Sequence, residues 1–112
     1  MFDYQAEKLS EARRALMLPH SSGEEQSIAD AFHVCSLGFK DIELPEKAKH
    51  LDDSAKDWIK VIKGLMSTDG LTDDDGKGLW AVKAATLSID DKIQLSRCVD
   101  ELAHWFDSQT NE

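Results

Sequence analysis

The chain has little of what marks a secreted scaffold or a membrane protein. It contains two cysteines and two prolines in 112 residues, too few cysteines for a disulfide framework. No apolar run approaches the roughly 18 residues that a membrane span needs. Residues 1–4 have neither the basic flank nor the apolar core of a signal peptide. We therefore expect no membrane segment, buried free thiols at Cys35 and Cys98, and a cytoplasmic location.

Basic residues are also scarce. The chain has 13 Lys and Arg against 22 Asp and Glu, giving a net charge of −9. The excess is greatest in residues 67–112, which carry ten acidic and four basic side chains. Nucleic acids and anionic membranes are bound through clustered cations, so the composition argues against both. Long-range attraction instead favours a basic partner protein, and it weakens as salt is added.

One apolar spacing occurs three times along the chain. Counted from the first apolar residue of each stretch, the positions are 0, 3, 4, 7, 10 and 11, which share one face of a helix. The three sets are Ile28, Ala31, Phe32, Cys35, Gly38 and Phe39; Ala55, Trp58, Ile59, Ile62, Leu65 and Met66; and Leu95, Cys98, Val99, Leu102, Trp105 and Phe106. Such helices cannot bury their apolar faces alone and must pack together. The sequence therefore predicts an all-α fold, a compact bundle of about five amphipathic helices with no β-sheet.

We predict a single helical domain over residues 1–112, with residues 108–112 as a frayed tail. The helices are expected over residues 3–18, 23–37, 53–67, 79–87 and 89–107. The residues of the first helix region expected to face inward are Phe2, Ala6, Leu9, Ala12 and Leu16. Gly38 is expected to end the second helix as a left-handed cap, and Pro45 to open a short helical turn. The fourth helix is apolar almost all round, so we expect it to be the most buried.

Hydroxyl-x-x-acid patterns mark the start of four helical stretches. In a capping box of this kind, the two side chains satisfy amides in the first turn of the helix. The pairs are Ser22 and Glu25, Ser54 and Asp57, Thr72 and Asp75, and Ser88 and Asp91.

Two acid-x-x-His pairs have the spacing used by carboxylate-bridged di-iron bundles. They are Asp30 with His33 and Glu101 with His104. Each histidine lies roughly 150° from the centre of the apolar face of its own helix, and so is expected to point to solvent. The pattern indicates surface pairing, and we predict no metal ligands and no cofactor.

The turn at residues 69–76 is rich in aspartate and suggests a calcium loop. An EF-hand loop needs oxygen ligands at positions 1, 3, 5 and 12 and glycine at position 6. Neither a loop beginning at Asp69 nor one beginning at Asp73 meets these requirements. A solvated turn is the favoured interpretation, with weak cation binding as the alternative.

The same region has a recognisable outline. Asp69-Gly70 is followed by a polar turn, a helix, and then Leu87-Ser88 before another helix. In this outline the segment resembles the TerB-like tellurite-resistance domains. Those domains place a glutamate after the Asp-Gly pair that is not in register here, so the resemblance assigns no residue a role.

No motif for nucleophilic catalysis is present, because the serines lack a Gly-x-Ser-x-Gly elbow and both cysteines lie on apolar faces. We therefore predict a non-enzymatic protein, a small acidic interaction module that acts as a regulator, inhibitor or adaptor on a more basic protein. The leading contact residues are Asp73, Asp74, Asp75, Asp90, Asp91, Asp100 and Glu101. The alternative is a helical module that binds a metal or small ligand, through the acidic 69–76 turn or a cavity near Trp58, Trp80 and Trp105. Wide apolar faces on short helices also suggest a homodimer.

Overall fold

The fold is all-α, as predicted. A computed structural model describes residues 2–17, 23–73, 76 and 78–110, and these residues form helices with no strand. The helices are α1 (Asp3–Met17), α2 (Glu24–Ile42), α3 (Pro45–Ala48), α4 (Asp53–Met66), α5 (Leu79–Thr86) and α6 (Ile89–Thr110). None of the helices in the described part of the chain has the length and apolar character to cross a membrane.

The helices pack in a chain of neighbours around α2 and α6. Helix α1 lies against both of them, α4 packs on α6, and α5 and the single-turn α3 pack on α2. The three predicted apolar faces meet in one core, in which the largest fully buried side chains include Phe32, Ile62 and Phe106. Trp58, Leu65 and Trp105 lie partly buried at its edge. The periodicity therefore identified the core correctly.

Helix α2 is longer than predicted and passes through Gly38. The glycine lies inside the helix where α1 approaches closely, since a Cβ at this position would lie 3.3 Å from Cβ of Lys8. The prediction that Gly38 caps the helix was wrong. Phe39 and Ile42 continue the buried face beyond it, so the packing of α2 on α1 overrides the low helix propensity of glycine.

Helix α5 is not the most buried element, contrary to the prediction. Only Ala81 and Ala84 are buried among its eight residues, and Leu79 is 41% exposed. The helix packs mainly against α2, so one face is covered, while Trp80 and Val82 are only partly buried. The most buried helix is α2, with nine buried residues.

Helix α6 also extends three residues beyond the predicted end at Asp107. It includes Ser108, Gln109 and Thr110, so the first part of the predicted frayed tail is helical. Residues 111–112 lie outside the described residues.

Candidate interaction surface

The structure spreads the predicted contact residues over several places. Asp73 precedes α5, and its carboxylate accepts a hydrogen bond from the amide of Gly78 at 2.7 Å. Asp74 and Asp75 lie outside the described residues. The other four predicted residues belong to α6, which packs mainly on α1 and α4, whereas α5 packs on α2. They therefore form the part of the predicted surface that can be described.

Asp90 and Asp91 lie in the first turn of α6. The Asp91 carboxylate accepts a hydrogen bond from the Ser88 amide at 3.1 Å, and the Ser88 hydroxyl accepts one from the Asp91 amide at 3.0 Å. This reciprocal pair is the capping box that the sequence predicts, so Asp91 stabilises the start of α6. Asp90 is exposed and has no ion-pair partner within the described part of the chain.

Asp100 and Glu101 lie ten residues further along α6, a rise of about 15 Å. There they line a groove between α1 and α6 with a volume of about 410 Å³. The residues lining the groove are Ala6, Ser10, Arg13, Asp100, Glu101, Ala103, His104 and Asp107. Its charged groups are three carboxylates and one guanidinium, beside the imidazole of His104. The groove is thus an acidic cleft at the surface of the bundle.

The groove contains an ion pair between α1 and α6. Nε of Arg13 lies 2.7 Å from a carboxylate oxygen of Asp100, and both side chains are more than half exposed. Glu101 is also exposed, and it has no hydrogen bond or ion pair to any described residue. A carboxylate of this kind is available to a cation from another molecule.

The predicted set of contact residues omitted three charged or titratable residues of this groove. Asp107 and His104 follow Asp100 and Glu101 at helical spacing, on the face of α6 opposite its buried residues. Arg13 comes from α1, nearly ninety positions earlier in the chain. The spacing on α6 could have indicated the first two, but only the packing of α1 on α6 brings in Arg13.

The exposed histidines agree with prediction, and one of them contacts a tryptophan. His33 and His104 are both exposed. The ring centroids of His33 and Trp80 are 6.1 Å apart, beside a depression of about 380 Å³ between α2 and α5. Trp105 contacts Phe2 and Phe106 instead, so Trp80 and Trp105 lie in different surroundings.

The two thiols are buried, as predicted, and neither forms a disulfide. Burial raises the pKa of Cys35 to about 12. Burial is also the main reason that the pKa of Cys98 is raised, while nearby Arg97 opposes the shift. Both thiols are therefore protonated near neutral pH. In the described part of the chain, no three His, Cys, Asp or Glu side chains are grouped to hold a metal ion.

Comparison with known protein families, with curated proteins and with solved structures finds no match to this chain.

Proposed function

We propose that this protein is an acidic interaction module that binds a more basic protein through the α1–α6 groove, as a regulator, inhibitor or adaptor. The observation that supports the proposal is the grouping of Asp100, Glu101 and Asp107 along one cleft with a single cation, Arg13. The net charge of −9 adds a long-range attraction for a basic partner.

The groove suits a lysine or arginine side chain of that partner. Such a side chain can lie along Ala6 and Ala103, which line the groove, and place its charged head beside the Glu101 carboxylate. A guanidinium could also compete with Arg13 for Asp100. Because these groups are exposed, each contact contributes little affinity alone, and the sum of several contacts gives the selectivity.

We infer that the protein has no catalytic activity and works in a reducing compartment, the cytoplasm. The protonated and buried state of Cys35 and Cys98 supports both inferences, because such thiols are poor nucleophiles and remain unpaired where disulfides are reduced.

The groove is tested by removing two of its charges. The variant E101Q/D107N keeps the shape of the groove and lowers its negative charge. The control E46Q/D57N makes the same chemical changes at two exposed carboxylates that lie on α3 and α4 and do not line the groove. Each tagged chain is used to capture partners from lysate of the source cell at low and high salt, followed by titration of the captured protein.

We expect one stoichiometric basic partner, lost at high salt. Its affinity should fall at least about threefold for E101Q/D107N and should be preserved in the control. Equal binding by both variants would refute the groove as the site. Absence of a partner at either salt would favour the alternative, a small-ligand module.

That alternative is best supported at the depression beside Trp80. Its lining includes the imidazole of His33 and the amide of Gln26, which offer a ring and polar groups to a small molecule. The acidic turn has less support, because Asp73 already accepts the Gly78 amide. Tryptophan fluorescence during titration with calcium, zinc and iron, and then with metabolites, distinguishes the two forms of the alternative.

A further inference from the structure

Helix α6 exposes two isoleucines at its start. Ile89 is 75% exposed and Ile93 is 55% exposed. They are four residues apart and share one face of the helix. Removal of such apolar side chains from water is favourable, so a second surface that covers them would gain from their burial.

The apolar surface continues on the far side of Ser96. One depression next to Ser96 is lined by Ile89 and Ile93, and another is lined by Leu16 and Met17 at the end of α1. Met17 is 69% exposed. Exposed apolar side chains thus lie on both sides of Ser96, with charged residues between and around them, and grouped apolar side chains at a surface commonly mark association sites.

Two opposite charges lie beside the isoleucines on α6 and pair with no other residue in the described part of the chain. Asp90 and Arg97 are exposed, and neither makes an ion pair with any other described residue. Their neighbours are already used, since Lys92 pairs with Glu24 at 3.2 Å and Asp100 pairs with Arg13. Among the described residues, the unpaired charges beside the isoleucines are thus an anion and a cation, seven residues apart on the same helix, and Glu101, four residues beyond Arg97, is a further unpaired anion of α6.

Asp90 and Arg97 lie on the same side of Ile93. At about 100° per residue, Asp90 is rotated roughly 60° and Arg97 roughly 40° from Ile93 in the same direction. When two copies of a helix pack antiparallel about a two-fold axis, the same side of each helix lies at the interface. The two helices run in opposite directions there, so a residue before the axis on one copy faces a residue after the axis on the other. An axis passing near Ile93 and Gln94 therefore places Asp90 of each copy opposite Arg97 of the other.

We propose that α6 is a homodimer interface of this kind. A second copy of the chain packs antiparallel on α6, covers Ile89 and Ile93, and forms two symmetric Asp90–Arg97 ion pairs. The self-complementary charges select a second copy over an unrelated partner, because one helix carries both halves of each pair. Contact through a single helix buries less than the ~1,200 Å² of a stable interface, so the dimer is weak and depends on concentration.

The test is sedimentation velocity of the purified full chain over a wide concentration range, at an ionic strength near physiological so that the net charges are screened. The single reversals D90R and R97D each place like charges opposite one another in both pairs. The double variant D90R/R97D restores opposite charges with their positions exchanged.

We expect each single reversal, and Ile93→Asn, to raise the dimer dissociation constant at least about tenfold. D90R/R97D should return it to within a few-fold of the wild-type value. The control D57R, an exposed reversal on α4, should leave it unchanged. Circular dichroism confirms that each variant remains helical.

A wild-type chain that is monomeric at every concentration would overturn the proposal. So would a dimer that is insensitive to Ile93→Asn, or single reversals that the double variant does not rescue. Rescue by the exchanged charges would support it, because loss of folding or a general charge effect cannot produce that result.

Discussion

Gln5 of α1 is a polar residue whose side chain joins this helix to α2. Its side chain is fully buried between α1 and α2. The amide nitrogen donates to the carbonyl oxygen of Gly38 at 3.3 Å and to the carboxylate of Asp41 at 2.7 Å. The apolar spacing correctly placed Phe2, Leu9 and Ala12 inside, but it cannot identify an amide whose partner is on another helix. Burial of Gln5 follows from the second helix and not from local pattern.

Asp41 provides a test of this network through pH. Its carboxylate also accepts a hydrogen bond from Lys47 of α3, and this bond, followed by that from Gln5, holds the pKa of Asp41 below its ordinary value. The folded state therefore binds this proton less tightly than the unfolded state. The resulting stabilisation is complete above the unfolded pKa of about 4 and is lost as pH falls through the folded pKa.

We expect Asp41→Asn to reduce the acid dependence of stability. The free energy of unfolding, measured by urea titration between about pH 6 and pH 2, should fall less steeply in the variant than in wild type. Asp57→Asn removes an exposed carboxylate with no ion pair to a described residue and should keep the wild-type slope. If the free energy of unfolding of D41N depends on pH as steeply as that of wild type, Asp41 contributes nothing to the acid dependence of stability.

At the scale of helices, the starts were harder to predict than the faces. The Ser88–Asp91 box forms as expected, but α4 is capped by Asp52, not through the Ser54–Asp57 pair. Helix α5 begins after Gly78, well beyond the Thr72–Asp75 pair, and Asp75 lies outside the described residues. Ser22 of the Ser22–Glu25 pair also lies outside the described residues. Gly23 is the cap residue of α2, and it makes no side-chain hydrogen bond there. Ser, Thr and Asp suit several positions near a helix start, so their spacing alone does not select the one that is used.

Asp52 joins two helices, and this gives a prediction about α4 and α6. One of its carboxylate oxygens accepts the Ala55 amide at 2.8 Å, and the other accepts the indole N–H of Trp105 at 2.8 Å. Asp52→Ser should keep the cap and lose the hydrogen bond to Trp105. Trp105→Phe should lose the same hydrogen bond and leave the cap in place. We expect the double variant to lose about 1 kcal/mol less free energy of unfolding than the sum of the losses in the two single variants. Chemical denaturation of the four proteins measures this coupling, and additive costs would mean that the hydrogen bond adds no stability.

For the whole molecule, the sequence predicted the fold class and most of the core, because burial leaves a periodic trace in each helix. It did not predict which helices meet. The candidate groove depends on the packing of α1 against α6, which brings Arg13 to Asp100 across most of the chain. Charge counting identified residues 67–112 as acidic, and the capping pattern identified Asp91 as part of a helix start, but only the structure shows Glu101 exposed beside the α1–α6 groove. Non-local packing is therefore the part of the site that one sequence cannot supply.

Contact between the two ends of the described chain gives the last prediction. Phe2 precedes α1 and is buried, with its ring centroid 5.6 Å from that of Trp105 and 5.3 Å from that of Phe106. Because this contact fixes α1 against the last turns of α6, Phe2→Ala should lower the free energy of unfolding by about 3 kcal/mol and loosen the walls of the groove. Tyr4→Ala, which removes an aromatic ring that is 41% exposed two residues away, should cost under about 1 kcal/mol. Urea denaturation compares the two variants, and equal costs would mean that Phe2 does not hold the ends of the bundle together.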